Sequence, residues 1–170
     1  MPKRQIIDLP GQAPFVTFST YQRRQFLAPE RTRTFVLEVL QACLDDHRAQ
    51  CHGFVVMPNH VHAILTVNSE SKISTFLLAW KKTSSYRIRR FFAQELTKYH
   101  KLCPDQCPIW QARFYDHNLE KAEHLNLKLD YMHNNPVEAG LVSHSLNWVW
   151  SSARFYEKQE DVGVKITLSY

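Results

Sequence analysis

Two histidines flanking one valine stand within Val55-Val56-Met57-Pro58-Asn59-His60-Val61-His62-Ala63-Ile64-Leu65. On a strand, residues two apart share a face. His60 and His62 therefore form a chelating pair for a divalent metal, and Val61 turns to the opposite side. Many strand pairs of this kind are plain surface residues. Here Val-Val before and Ile-Leu after indicate a buried strand, where two imidazoles need a reason to be present. A second stretch, Asp130-Tyr131-Met132-His133-Asn134-Asn135-Pro136, offers a phenol and an amide. On a helix Tyr131 and Asn135 lie about one turn apart and share a face. That face is off the apolar stripe of Ala122, Leu125, Leu129 and Met132. An amide oxygen is a sound third ligand for Mg²⁺ or Mn²⁺, and the phenol would then stand beside the metal as a nucleophile. Taken without the histidines, Tyr131 reads as a packing tyrosine and Asn135 as a helix C-cap. Tyr115, between Arg113-Phe114 and Asp116-His117, is the rival nucleophile, but no metal-ligand type follows it one turn later. A tyrosine phenol ionises only at about pH 10, so something must favour its ionised form; the metal is the main candidate, with His117 and His133 as lesser ones.

These residues need a scaffold. Residues 15–20 are β-branched and aromatic and read as a strand. Phe35, Val36, Val39, Leu40 and Cys43 recur at helical spacing within a helix expected over 28–50. Two strands follow, 53–57 and 61–67, separated by Pro58-Asn59. Residues 73–99 form one long helix or two in sequence. A strand is expected over 109–115 and a helix over 119–134, ended by the effect of Pro136 on Asn135. Trp148, Trp150 and Phe155 pack a C-terminal segment back on the core. Residues 1–13 read as a loose lead-in and 157–170 as a poorly ordered tail. The order β-α-β-β-α-β-α fits an α+β ferredoxin-like split βαβ sandwich, an antiparallel sheet with helices on one face.

The chain has 170 residues, expected to form one domain with its core over about 14–155. A net charge of +5 points weakly to a polyanionic partner. No run of about 18 apolar residues suggests a membrane span, and the first residues lack a signal-peptide apolar core. Cys43, Cys51, Cys103 and Cys107 follow no secreted disulfide pattern, so a cytoplasmic protein with free thiols is expected. Cys103 and Cys107, with His100 upstream, offer half a zinc site without a second close pair. For DNA, Lys81, Lys82, Arg87, Arg89 and Arg90 make a basic helix interleaved with Trp80 and Tyr86; cations suit phosphates and rings suit unpaired bases. Arg23, Arg24 and Arg113 are further candidates, and a solvated helix face is the plain alternative.

Three ordered motifs carry a family resemblance: Met57-Pro58-Asn59-His60-Val61-His62, then Ile109-Trp110-Gln111-x-Arg113-Phe114, then Asp130-Tyr131-x-x-x-Asn135-Pro136-Val137-x-Ala139-Gly140-Leu141-Val142. Together they resemble the REP-associated tyrosine transposases, a branch of the single-tyrosine transposases among the HUH nucleases. The resemblance implies the ferredoxin-like fold, His60 and His62 as metal ligands, Tyr131 as nucleophile, and Asn135 where other single-tyrosine transposases often have glutamine. It further implies recognition of hairpins of repeated extragenic palindromes. Single-stranded DNA would be cut by attack of Tyr131 on phosphorus, with a 3′-hydroxyl leaving, a 5′-phosphotyrosine link forming, and another 3′ end able to reverse it. The energy of the broken bond is kept in that link, consistent with the absence of a Gly-x-x-x-x-Gly-Lys loop from the sequence. Two other readings stand beside this strand transferase: a His-x-His hydrolase in which a metal-bound water attacks, and a nucleic-acid-binding domain without catalysis. A monomer and a homodimer are both compatible with the sequence, the latter allowing Tyr131 to act in trans.

Overall fold

The computed structural model describes residues 13–104, 106–119 and 121–168. Four strands, β1 (Ala13–Ser19), β2 (Gln50–Val56), β3 (His60–Thr66) and β4 (Tyr115–Leu119), form an antiparallel sheet in the order β2-β3-β1-β4. With α1 (Glu30–Asp46) between β1 and β2, and α2 (Ile73–Glu95) followed by α3 (Thr97–Leu102) between β3 and β4, this is the ferredoxin-like arrangement. Alternation along the strands decides what each face buries. Val16, Phe18, Phe54, Val56, Val61, Ala63 and Leu65 pack under α1 and α2 with Val36, Leu40, Phe76 and Trp80. Phe15, Val55 and Ile64 point the other way and pack with Leu125, Leu129 and Met132 of α4 (Ala122–Glu138). The expectation of helices on one face thus describes α1 and α2. The helix α4, coming after β4, covers the second face because that face is apolar too and must be kept from water. Each such side chain fully buried stabilises the fold by roughly 1.5–3 kcal/mol.

Three sequence expectations are corrected. Residues 109–115 do not form the fourth strand; it starts at Tyr115 and runs to Leu119. Ile109 and Trp110 are buried, Trp110 makes an isolated bridge with Thr20, and the carbonyls of Gln111 and Ala112 are taken by Lys81 Nζ rather than by a strand ladder. Second, α4 does not stop before Pro136 but continues through it to Glu138. Pro136 is buried in the last turn, and the Ala139 N–H donates to Asn135 O at 3.0 Å, so the turn closes without the missing proline N–H. Gly140, at φ +70°, then ends the helix in the left-handed conformation that glycine tolerates. Third, the expected loose tail is packed as far as it is described. Val162, Val164 and Ile166 are buried, and Thr167 N donates to Cys51 O at 2.8 Å. The expected lead-in falls almost wholly outside the described residues. Trp148 and Trp150 do hold the C-terminal segment to the core: Trp148 Nε1 donates to Val56 O at 3.0 Å, and the buried Arg33 guanidinium lies 3.8 Å from the Trp150 ring centre.

Helix α4 comes close to β2 at Gly53. A Cβ there would lie 2.3 Å from Leu129 Cδ2, 3.1 Å from Met132 Cε and 3.3 Å from Ser152 Oγ. Gly53→Val is therefore expected to push α4 off the sheet and destabilise the protein by about 2 kcal/mol. Thermal or urea unfolding checks this; a variant as stable as wild type would contradict the close packing.

Candidate active site

On the α4 face of the sheet, register aligns Val55, His62, Thr17 and Tyr115 across the four strands, with His60 opposite Ser19 near one end. The hairpin between β2 and β3 is closed by Met57 N donating to His60 O at 2.8 Å, which places His60 at the start of β3. The two imidazole centres are 4.7 Å apart. Phe15 stacks on His62 at 5.3 Å, and the Tyr131 ring meets His62 edge-on at 5.5 Å and Phe15 at 6.2 Å. Helix α4 thus brings Tyr131 to the histidine pair while leaving the residue 43% exposed. Asn135 is half-buried one turn further along the same helix. Tyr115 shares the face with His62, but Thr17 stands between them in the register, so the two backbones are separated by two strand spacings, roughly 10 Å.

Hydrogen bonds set how the imidazoles can act. His60 Nδ1 is 2.7 Å from Asn59 Oδ1. An amide oxygen only accepts, so Nδ1 carries the proton and Nε2 keeps its lone pair. His62 Nδ1 is 2.7 Å from Thr17 Oγ1, and His62 Nε2 is buried with no protein partner. When Nδ1 donates to Thr17, that orphaned Nε2 is a bare lone pair as well. Burial, with Arg23 nearby, pushes the His60 pKa down to about 4; burial, with His60, Lys128 and Arg23 around it, pushes His62 to about 3. Both rings are neutral at ordinary pH, the form that ligates metal. The orphaned nitrogen and the neutral pair fit a divalent ion. Among the described residues no group of three or more His, Cys, Asp or Glu is placed to hold a metal ion. The same holds for the His100, Cys103 and Cys107 alternative.

The remaining candidates divide. His133 is engaged away from the pair: its Nε2 is 2.8 Å from Ser152 Oγ, which accepts from Phe54 N at 3.0 Å, so it braces α4 against β2. Burial pushes its pKa to about 4, leaving it neutral. His117 is exposed on β4 opposite Phe15. The basic helix α2 lies over the far face of the sheet from His60 and His62. Several of its cations serve the fold: Lys81 holds the Gln111 and Ala112 carbonyls, Arg87 pairs with Glu38, and Arg89 donates to Cys107 O. Arg24 donates to Leu102 O at 2.7 Å. Arg23, Lys82, Arg90 and Arg113 are exposed. Sequence reasoning missed Thr17, Asn59 and Lys128. Lys128 Nζ lies 4.8 Å from the Phe15 ring centre and 5.4 Å from that of Tyr131. Its signal was present as a cation three residues before the tyrosine on a helix.

Residues 13–135 match the family model described as "Transposase IS200 like". A Haemophilus influenzae protein assigned as a REP-associated tyrosine transposase is 24% identical over 134 residues, 72% of this chain and 73% of the relative. The REP-associated tyrosine transposase of Escherichia coli K12 is 25% identical over 107 residues, 63% of this chain and 56% of that protein. A solved structure of a REP-associated tyrosine transposase bound to a REP hairpin superposes with a TM-score of 0.74 at 19% identity, covering 100% of this chain and 94% of the other, which establishes a shared fold. With the family model spanning most of the sheet and reaching through Tyr131 to Asn135, the chain belongs to the IS200-like transposases.

Proposed function

We propose that this transposase is a single-stranded DNA endonuclease and strand transferase acting beside hairpins of repeated palindromic elements, with Tyr131 as nucleophile. The observation that carries the reading is the exposed Tyr131 phenol ring resting on a buried, neutral His62 whose Nε2 has no partner. His60 Nε2, His62 Nε2 and the Asn135 amide oxygen are the atoms to hold a divalent cation, and two imidazole nitrogens favour Mn²⁺ over the strictly oxygen-loving Mg²⁺. Such a cation, when bound, supplies positive charge that polarises the scissile phosphate. Thr17 and Asn59 hold the two imidazoles in orientation. Phe15 fixes the plane of His62 and the edge of Tyr131. Tyr131 Oη bonds to phosphorus, the 3′ oxygen leaves, and the phosphodiester energy is kept in a 5′-phosphotyrosine link that a free 3′ end can reverse. Two relatives named as REP-associated tyrosine transposases, and a structural neighbour bound to a REP hairpin, support a hairpin as the DNA partner. Of the candidate cations, exposed Arg23, Lys82, Arg90 and Arg113 are the ones left to meet phosphates.

Tyr131→Phe removes the attacking oxygen and leaves the ring to pack. It is expected to abolish the covalent protein–DNA adduct on a hairpin with single-stranded flanks while changing hairpin affinity by less than about twofold. An adduct formed by this variant would move the nucleophile to Tyr115.

His60→Ala with His62→Ala is expected to end cation-dependent cleavage with little loss of DNA affinity, since phosphate contacts elsewhere hold the strand. Full cleavage by the double variant in chelator would refute the metal role.

Strand state gives a third test. A regular duplex cannot easily present its phosphate in line to a phenol beside a recessed pair of histidines. Cleavage is expected in single-stranded DNA flanking a hairpin and not in the same sequence as a linear duplex. Lys82→Glu with Arg113→Glu should weaken binding and reduce the slope of log affinity against log salt by about 2. Equal cutting of both substrates, or an unchanged slope, would contradict the DNA reading.

A further inference from the structure

Lys128 has no place in the metal-and-tyrosine scheme, yet it sits at its centre. It is half-buried on α4, one turn before Tyr131. Its ammonium lies over the Phe15 ring at 4.8 Å and the Tyr131 ring at 5.4 Å. Among the described residues no carboxylate comes within ion-pair distance of it. Two ring faces hold this cation instead, and their attraction is electrostatic and weak compared with an ionic partner. The histidine pair next to it is neutral, and its field reaches His62. Lys128 thus sets a cation beside Tyr131 with no ion-pair partner among the described residues, which suits an anionic substrate group.

We propose that Lys128 is a catalytic residue that binds a non-bridging oxygen of the scissile phosphate and stabilises the charge gathered there as Tyr131 attacks. This deepens the nuclease reading and rests on it. In the step, a bond forms between Tyr131 Oη and phosphorus as the bond from phosphorus to the 3′ oxygen breaks. The 3′ oxygen leaves with the electron pair and ends as a hydroxyl, the proton coming in net from the phenol. Lys128 keeps its proton throughout and acts through charge and hydrogen bonding alone. Its ammonium lies between the Phe15 and Tyr131 rings, beside the exposed phenol.

The test compares wild type, Lys128→Met, Lys128→Arg and Lys128→Gln in single-turnover adduct formation on a fluorescent hairpin with single-stranded flanks. Circular dichroism melts accompany each variant, and Lys128→Gln stands in if the Met variant does not fold. Lys128→Met should slow adduct formation by about 100-fold with hairpin affinity changed by less than about threefold, and Lys128→Arg should recover about a tenth or more of the wild-type rate. Repeating the comparison with a neutral methylphosphonate at the bond the wild type cuts separates charge from support. The gap between wild type and Lys128→Met should shrink to within about threefold, because no anionic oxygen pair remains to be neutralised. A Lys128→Met rate equal to wild type, or a gap that persists on the methylphosphonate, overturns the role. No adduct from the wild type itself overturns the nuclease reading and this role with it, whereas a Tyr131-dependent adduct indifferent to Lys128 overturns this role alone.

Discussion

The unpaired Nε2 of His62 is the constraint around which this structure is arranged. The residue is 6% exposed, its Nδ1 is tied to Thr17, and its other nitrogen meets no protein partner. Leaving a buried polar atom unsatisfied costs roughly 1–3 kcal/mol. That cost sits on a strand whose next residue on the same face, Ile64, is buried and apolar, where an aliphatic residue would have been stabilising. Burial also keeps the ring neutral, so with Nδ1 donating to Thr17 the buried Nε2 is a lone pair. A protein that needed only packing at this position would not hold an imidazole in this state.

The second layer, α4, covers that face and sets Tyr131 beside the histidine pair. Gly53 lets Leu129 and Met132 come close to β2, and His133 bonds to Ser152 across the same contact. With those residues anchored, Tyr131 and Lys128 fall at the exposed edge of the helix, beside Phe15 and His62. The result is a phenol accessible to a polymer yet fixed against a rigid sheet. The far face, under α1 and α2, is a core whose lysine and arginine neighbours mostly hold carbonyls and carboxylates of the protein itself.

How much of this was legible followed from the range of each interaction. His60 and His62 could be placed on one face because a strand's period is local and strict, and Tyr131 with Asn135 because a helix turn is equally local. The sheet order followed from the element order. Pro136 misled because proline disfavours helix before it as a local rule, whereas here burial of the ring and closure of the last turn prevail. Residues 109–115 misled because two buried aromatic and aliphatic side chains mimic a strand while Lys81, thirty residues away in the chain, takes the carbonyls. The tail from Val162 to Thr167 could not be read from its polar composition, since its order comes from pairing with Cys51 and His52. Thr17, whose hydroxyl lies 2.7 Å from His62 Nδ1, is visible only once the register between β1 and β3 is known.

The central claim is that Tyr131 and the His60–His62 pair form one reaction centre. Tryptic digestion of the covalent DNA adduct tests it most directly, because cleavage after Lys128 and Arg154 isolates residues 129–154, in which Tyr131 is the sole tyrosine, while Tyr115 falls in residues 114–121. The account predicts that mass spectrometry finds the nucleotide-phosphate remnant on the 129–154 peptide. A remnant on the 114–121 peptide would contradict it.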